Sequence, residues 1–233
     1  ASPAPTTSSS SVPTKPTTTT TKTTQATTRA SSAPTSTIKK GSLVAAQASD
    51  LYYHTRGEFT VTDEFAGLGQ NSPVSAFPTD DYGAQGVFVR DFVRTQKDVE
   101  VRTATYRFRS ADEAKAAYAK LMSYVTEYPA SQVGGEYEWD VKGSDFHPVD
   151  LSSVDAASKQ ATFTTIVYSG IGSQHGKGMF EDVGIVQVGP YVEFVGYHYE
   201  GLDSNWDYEP GGPVGALHPL IRSLPLVAAR LAS

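Results

Sequence analysis

The sequence predicts an α+β domain, an antiparallel sheet of about six strands with two main helices packed on one face, preceded by a disordered Thr/Ser/Pro-rich tail over 1–40. Three observations lead there. Strand-like segments arrive in hairpin runs instead of alternating singly with helices, which favours antiparallel pairing. One long segment of helical period interrupts the strands and another ends the chain. All 13 Tyr, 10 Phe and 2 Trp lie at or beyond residue 52, so the material for a core is confined to 41–233.

The tail follows from composition. Ser, Thr, Pro and Ala supply 32 of the first 37 residues, and no acid precedes Asp50. Such a segment cannot bury enough apolar surface to offset the entropy of ordering. It reads as an extended spacer, a stalk of the kind that holds a domain away from a membrane or wall and that can carry O-glycans or crosslinks. Five of the 19 cations sit in it, so the remainder sets 14 basic against 25 acidic residues. An acidic domain is a poor partner for nucleic acid. No apolar run reaches the length of a bilayer span. The absence of cysteine removes disulfides, thiolate catalysis and Cys-ligated metals.

Each element has a local cause. A short helical turn is expected near Leu43–Tyr53. Segments 85–94 and 98–108 alternate and form a hairpin, with Phe88 and Phe92 on one strand interleaved with Arg90 and Arg94, and with Arg102 on its partner. In the stretch that follows, Ala114, Ala117, Tyr118, Leu121 and Val125 recur at helical spacing behind a capping box of Ser110 and Glu113, and Pro129 is expected to end the helix. Segments 136–142, 161–169, 178–188 and 191–200 read as strands, the last two joined through Gly189-Pro190. A closing helix over about 214–231 carries Leu217, Leu220, Ile221, Leu224, Val227 and Leu231 on one stripe, with Pro225 expected to kink or restart it.

Motifs for chemistry are sparse. Gly170–Gly178 has neither the spacing of a nucleophile elbow nor that of a phosphate loop and reads as a Gly-rich connection. His198 and Glu200 share a strand face, but no paired metal-ligand spacing is present, and neither a metal nor a cofactor is expected. Glu181-Asp182, Glu136/Glu138/Asp140 and Asp80-Asp81 have the adjacent or alternating spacing of a charged outer sheet face or a turn, so no catalytic residue is assigned. The most distinctive text is 197–212, where Tyr197, Tyr199, Trp206 and Tyr208 are interspersed with Asp203 and Asp207. Aromatics beside acids stack on sugars or grip cationic stems, and these six residues are the expected ligand-binding set.

The runs LVAAQASDL and GEFTVTDEFAGLGQ, then VFVRDFVRT and VEVRTATYRFRSADEAKAAYAKLMSYV, then GIVQVGPYVEFVGYHYEGLDSN before a helix ending in AARL, resemble the extracellular sensor domain of PknH-type actinobacterial receptor kinases and the related sensor-domain lipoproteins. The resemblance spans about Ser42 to Leu231. It implies an antiparallel sheet with two helices, a cleft for an extracellular ligand, and export to the cell envelope by way of a lipidated residue ahead of a Thr/Pro-rich stalk. The cysteines common in that family are absent here, which leaves core packing to hold the corresponding loops. The expected function is that of an exported, non-catalytic cell-envelope protein whose ligand is a wall glycan, lipid or peptide, or a secreted protein. Membrane contact is expected only through an N-terminal lipid anchor. Two alternatives stand beside it: a secreted protein-binding module, such as a protease inhibitor or enzyme accessory protein, and a hydrolase with dispersed carboxylates.

Overall fold

A computed structural model describes residues 44–53, 57–69, 71–96, 98–132, 139–170, 178–201 and 218–233. Its elements are a 3-10 turn (Ala48–Asp50), β1 (Phe59–Ala66), β2 (Gly86–Arg94), β3 (Val99–Arg107), α1 (Ala111–Gln132), β4 (Trp139–Gly143), β5 (His147–Pro148), β6 (Lys159–Gly170), β7 (Gly178–Val188), β8 (Tyr191–Gly201) and α2 (Pro219–Ala232). All strands join one antiparallel sheet in the order β1-β2-β3-β8-β7-β6-β4, with β5 beside β6. The class is α+β, as the hairpin runs predict.

Both expected hairpins form. In β2 and β3, Phe92 lies opposite Val101 and Phe88 opposite Thr105. In β7 and β8, Val188 lies opposite Tyr191, and Gly189 makes the turn at a φ of 52°, a left-handed conformation that glycine adopts without a Cβ clash. Among the described residues the sheet has eight strands instead of about six. The additional ones are β1 and β5, and each lacks a readable period. A bulge between Val61 and Asp63 breaks the alternation of β1, whose next residues after buried Phe59 are exposed, and β5 is only two residues long.

The two helices lie on opposite faces, which corrects the expectation of a one-sided sandwich. On β7, Val183 and Ile185 belong to the cluster formed by Ala114, Ala117, Tyr118, Leu121 and Val125 of α1. Their neighbours of opposite parity, Phe180, Val186 and Val188, belong to the cluster formed by Leu220, Leu224, Val227 and Leu231 of α2. Successive residues of a strand point to opposite faces. The central strands are therefore covered on both sides, and β7 is buried from Phe180 to Val188. Hairpin connectivity alone does not reveal this, because it says nothing about how many faces are wet.

The helix ends differ from expectation in two places. Ser110 Oγ accepts from the Glu113 N–H at 3.2 Å, and Glu113 returns the contact to Arg109 N–H at 3.0 Å, so the start is capped as its sequence indicates. Pro129, however, lies inside α1, which continues to Gln132. The ring removes one hydrogen bond in the last turns, where few remain to lose, and it is buried against Gly143, whose absent Cβ would lie 3.0 Å from Pro129 Cγ. Pro225 likewise lies within a single helix, α2, which begins at Pro219 with His218 as its N-cap; positions 214–217 of the expected helix lie outside the described residues.

Gly184 sets the approach of α2 to the sheet. A Cβ there would sit 2.9 Å from both δ-carbons of Leu224 and 3.0 Å from Leu220, two fully buried side chains with no room to withdraw. Gly184→Ala is expected to cost about 1–3 kcal/mol by overpacking, measured by chemical denaturation. Amide-shift changes should concentrate on α2, with α1 undisturbed; changes centred on α1 would contradict the two-faced arrangement.

Candidate functional site

Glu181 and Asp182 are adjacent on β7, completely buried, and directed to opposite faces. The expectation of a charged outer face is corrected here: both are interior groups. Burying a carboxylate is costly unless donors surround it, and each has its own set. On the α1 face, Glu181 accepts from the Ser75 N–H at 2.5 Å, the Ala76 N–H at 3.0 Å and the Tyr168 hydroxyl at 3.0 Å. Its Oε1 also lies 3.5 Å from His198 Nδ1. Burial and the Glu181 charge hold the Tyr168 phenol far above its usual range, so it remains a neutral donor.

On the α2 face, Asp182 accepts from the Thr165 hydroxyl at 2.6 Å and the Tyr199 hydroxyl at 3.2 Å. His218 Nε2 stands 3.4 Å from Asp182 Oδ1. Because His218 Nδ1 accepts the Leu220 N–H at 3.2 Å, the neutral ring carries its proton on Nε2, toward the carboxylate. One residue thus caps α2 and seats it on the sheet.

The segment fastened by Glu181 forms the wall of a cleft. Val74 lies over Gly196, where a Cβ would be only 2.7 Å from Val74 Cγ1. Phe77 meets Phe194 edge to face at 5.5 Å, and Tyr124 of α1 donates to the Phe77 carbonyl at 3.2 Å. Just before it, Asn71 in a left-handed conformation (φ 60°), Ser72 and Pro73 border a cavity of about 670 Å³. The floor is Asp91 and Val93 of β2 with Glu100 and Arg102 of β3, and Thr62 of β1 forms the far rim. Arg102 donates twice to Asp91, at 2.6 and 2.7 Å, while its guanidinium lies 5.2 Å from the Phe77 ring centre and 5.5 Å from that of Phe65. The pair is bidentate and largely desolvated, a geometry that fixes both side chains. Beside the cleft, Glu100, His198 and Glu181 face one another in register across β3, β8 and β7. The arrangement offers a ligand a prepositioned polar floor with a shaped wall.

Of the expected ligand-binding residues, Tyr197 and Tyr199 are core groups on the α2 face. Tyr197 is fully buried, with its hydroxyl 2.9 Å from Ser223 Oγ, and burial raises its phenol well above the usual range. Tyr199 stacks on Phe180 at 5.5 Å and holds Asp182. Neither lines the cleft. Asp203, Trp206, Asp207 and Tyr208 lie outside the described residues. Glu200 is exposed and His198 half-buried, and no group of three or more metal-ligating side chains occurs among the described residues.

Asn71, Asp91, Glu100 and Arg102 share no local sequence signature that marks them as a site. The hairpin register does place Arg102 opposite Asp91, and that was the available signal. Glu181-Asp182 carried a signal as well: a charged pair flanked by Phe180 and Val183 in an apolar strand.

Fold and cleft together define a two-faced α+β domain with a polar ligand-sized cleft. No family model matches the chain, and no curated protein matches it. Among solved structures, the extracellular domain of PknH from Mycobacterium tuberculosis is similar at a TM-score of 0.49 and 9% identity, over 82% of this chain and 92% of that one. Among the described residues no helix is long and apolar enough to cross a membrane.

Glu181→Ala is expected to leave two backbone donors and the Tyr168 hydroxyl unsatisfied and to cost about 3–5 kcal/mol. The Ser75 and Ala76 amides should exchange with solvent much faster than those of β8; unchanged protection at both would show that Glu181 does not hold the wall.

Proposed function

We propose that the chain is an exported, non-catalytic cell-envelope protein whose sensor-like domain, over 41–233, binds an extracellular ligand or envelope component in the cleft on the α1 face. The observation that carries this reading is the cleft itself: a bidentate Arg102–Asp91 pair on its floor and a wall tied down by the buried Glu181. Preorganised polar groups lower the cost of ordering on binding. Binding is favoured over chemistry because Glu181 and Asp182 spend their oxygens on structural donors. The Thr/Ser/Pro-rich segment over 1–40 supports outward display on a stalk.

The test is an amide-shift titration with wall-glycan fragments, lipid micelles and peptides. Shifts should gather at 71–73, 91–93 and 100–102. Glu100 is exposed at the mouth, so Glu100→Arg should change the affinity roughly severalfold with the melting temperature unaltered. Shifts confined to other surfaces, or an affinity indifferent to Glu100→Arg, would sink this assignment.

A further inference from the structure

Residues 44–50 enter the face that carries α2 instead of lying on it. Ala45 and Ala46 are completely buried. Arg90 Nη1 donates to both of their carbonyls, and the Ala46 N–H donates to Glu193 Oε1 at 3.0 Å. At the far end, Asp50 receives the Gln47 N–H at 2.8 Å and two bonds from Arg230 of α2, at 2.5 and 2.8 Å. Two alanine methyl groups bury little apolar area, so this segment is retained mainly by charge-assisted bonds. The Ala46 bond differs from the others in that its acceptor is a wholly buried carboxyl, whose charged form burial disfavours.

Glu193 of β8 is the group on which that dependence rests. It is wholly buried, and its Oε2 lacks a well-formed partner among the described residues, the Thr105 side chain opposite offering only partial compensation. The charges facing it are Arg90 from β2, Asp50 from the 3-10 turn and Arg230 from α2. Arg90 is itself committed to Glu64 of β1 at 2.6 Å and to the alanine carbonyls. Burial therefore prevails over the Ala46 N–H, Thr105 and Arg90 and pushes the Glu193 carboxyl up to about 7.

We propose that residues 44–50 form a releasable strap, closed over Glu193 while that carboxyl keeps its proton and opened when it ionises. In the closed state the proton is held; in the open state water reaches the carboxyl and it ionises in its ordinary range, near 4.5. The closed state therefore has its full advantage below that range, loses it as pH climbs toward about 7, and changes no further above. Opening relieves the buried charge by hydration and leaves both helices on the sheet.

Hydrogen exchange of the full chain between pH 4.5 and 8.5, expressed as protection after correction for intrinsic rates, tests this. Ala46 protection should fall by about tenfold per pH unit and by no more than roughly 300-fold in all, then level off. Val183 and Ile185 on β7 should hold theirs, and Glu193→Gln should make the Ala46 profile flat. A flat profile in the unsubstituted chain, an unchanged slope in Glu193→Gln, or parallel loss on β7 would overturn the proposal. Should Glu193→Gln not fold, the carboxyl-carbon shift of Glu193 decides: a midpoint near that of the Ala46 transition supports the strap, and one in the ordinary glutamate range overturns it.

Discussion

The buried carboxylates Glu181 and Asp182 act as a two-sided rivet in the middle of the sheet. Being neighbours on one strand, they must face opposite ways, so whatever satisfies one cannot satisfy the other. Glu181 recruits the backbone of Ser75 and Ala76, and Asp182 recruits Thr165, Tyr199 and, through His218, the first turn of α2. Interior charge is expensive, and the expense is offset only when these partners stand in one geometry. The wall of the cleft and the start of α2 are thereby located from the same strand.

The rest of the cleft depends on that placement. With the 71–77 segment held, Phe77 lies on Phe194 and against the Arg102 guanidinium, and Arg102 is pressed into its paired contact with Asp91. An arginine so confined has little rotamer freedom left to lose. The opposite face uses charge differently. There Arg90 and Glu193 hold main chain from 45–46, so a polar interior on one side shapes a cavity and on the other secures the entry of the chain into the domain.

What could be read from residue order was what local periodicity encodes. The Ser110 cap, the stripe of α1 and the β2–β3 and β7–β8 hairpins follow from spacing and turn chemistry, and all are present. β1 escaped because its bulge disrupts the period of two, and Pro129 misled because its ring is accommodated by Gly143 on a distant strand. At the site, Tyr197 and Tyr199 drew attention as aromatics near an acidic loop, whereas their strand parity sends them into the core beneath α2. Parity is legible in sequence; which parity meets solvent is not.

By itself the sequence determined the α+β class, the confinement of core-forming residues beyond the Thr/Ser/Pro-rich segment, the hairpins and the helix faces, because each depends on residues a few positions apart. Tertiary structure alone decided that the helices take opposite faces, that Glu181 and Asp182 are interior, and that Asn71, Asp91, Glu100 and Arg102 converge on one cleft. Those outcomes rest on contacts between segments far apart in the chain, such as Ser75 with Glu181, Ala46 with Glu193 and Asp50 with Arg230. Pairings of that kind are selected by the free energy of satisfying buried charge in the assembled fold.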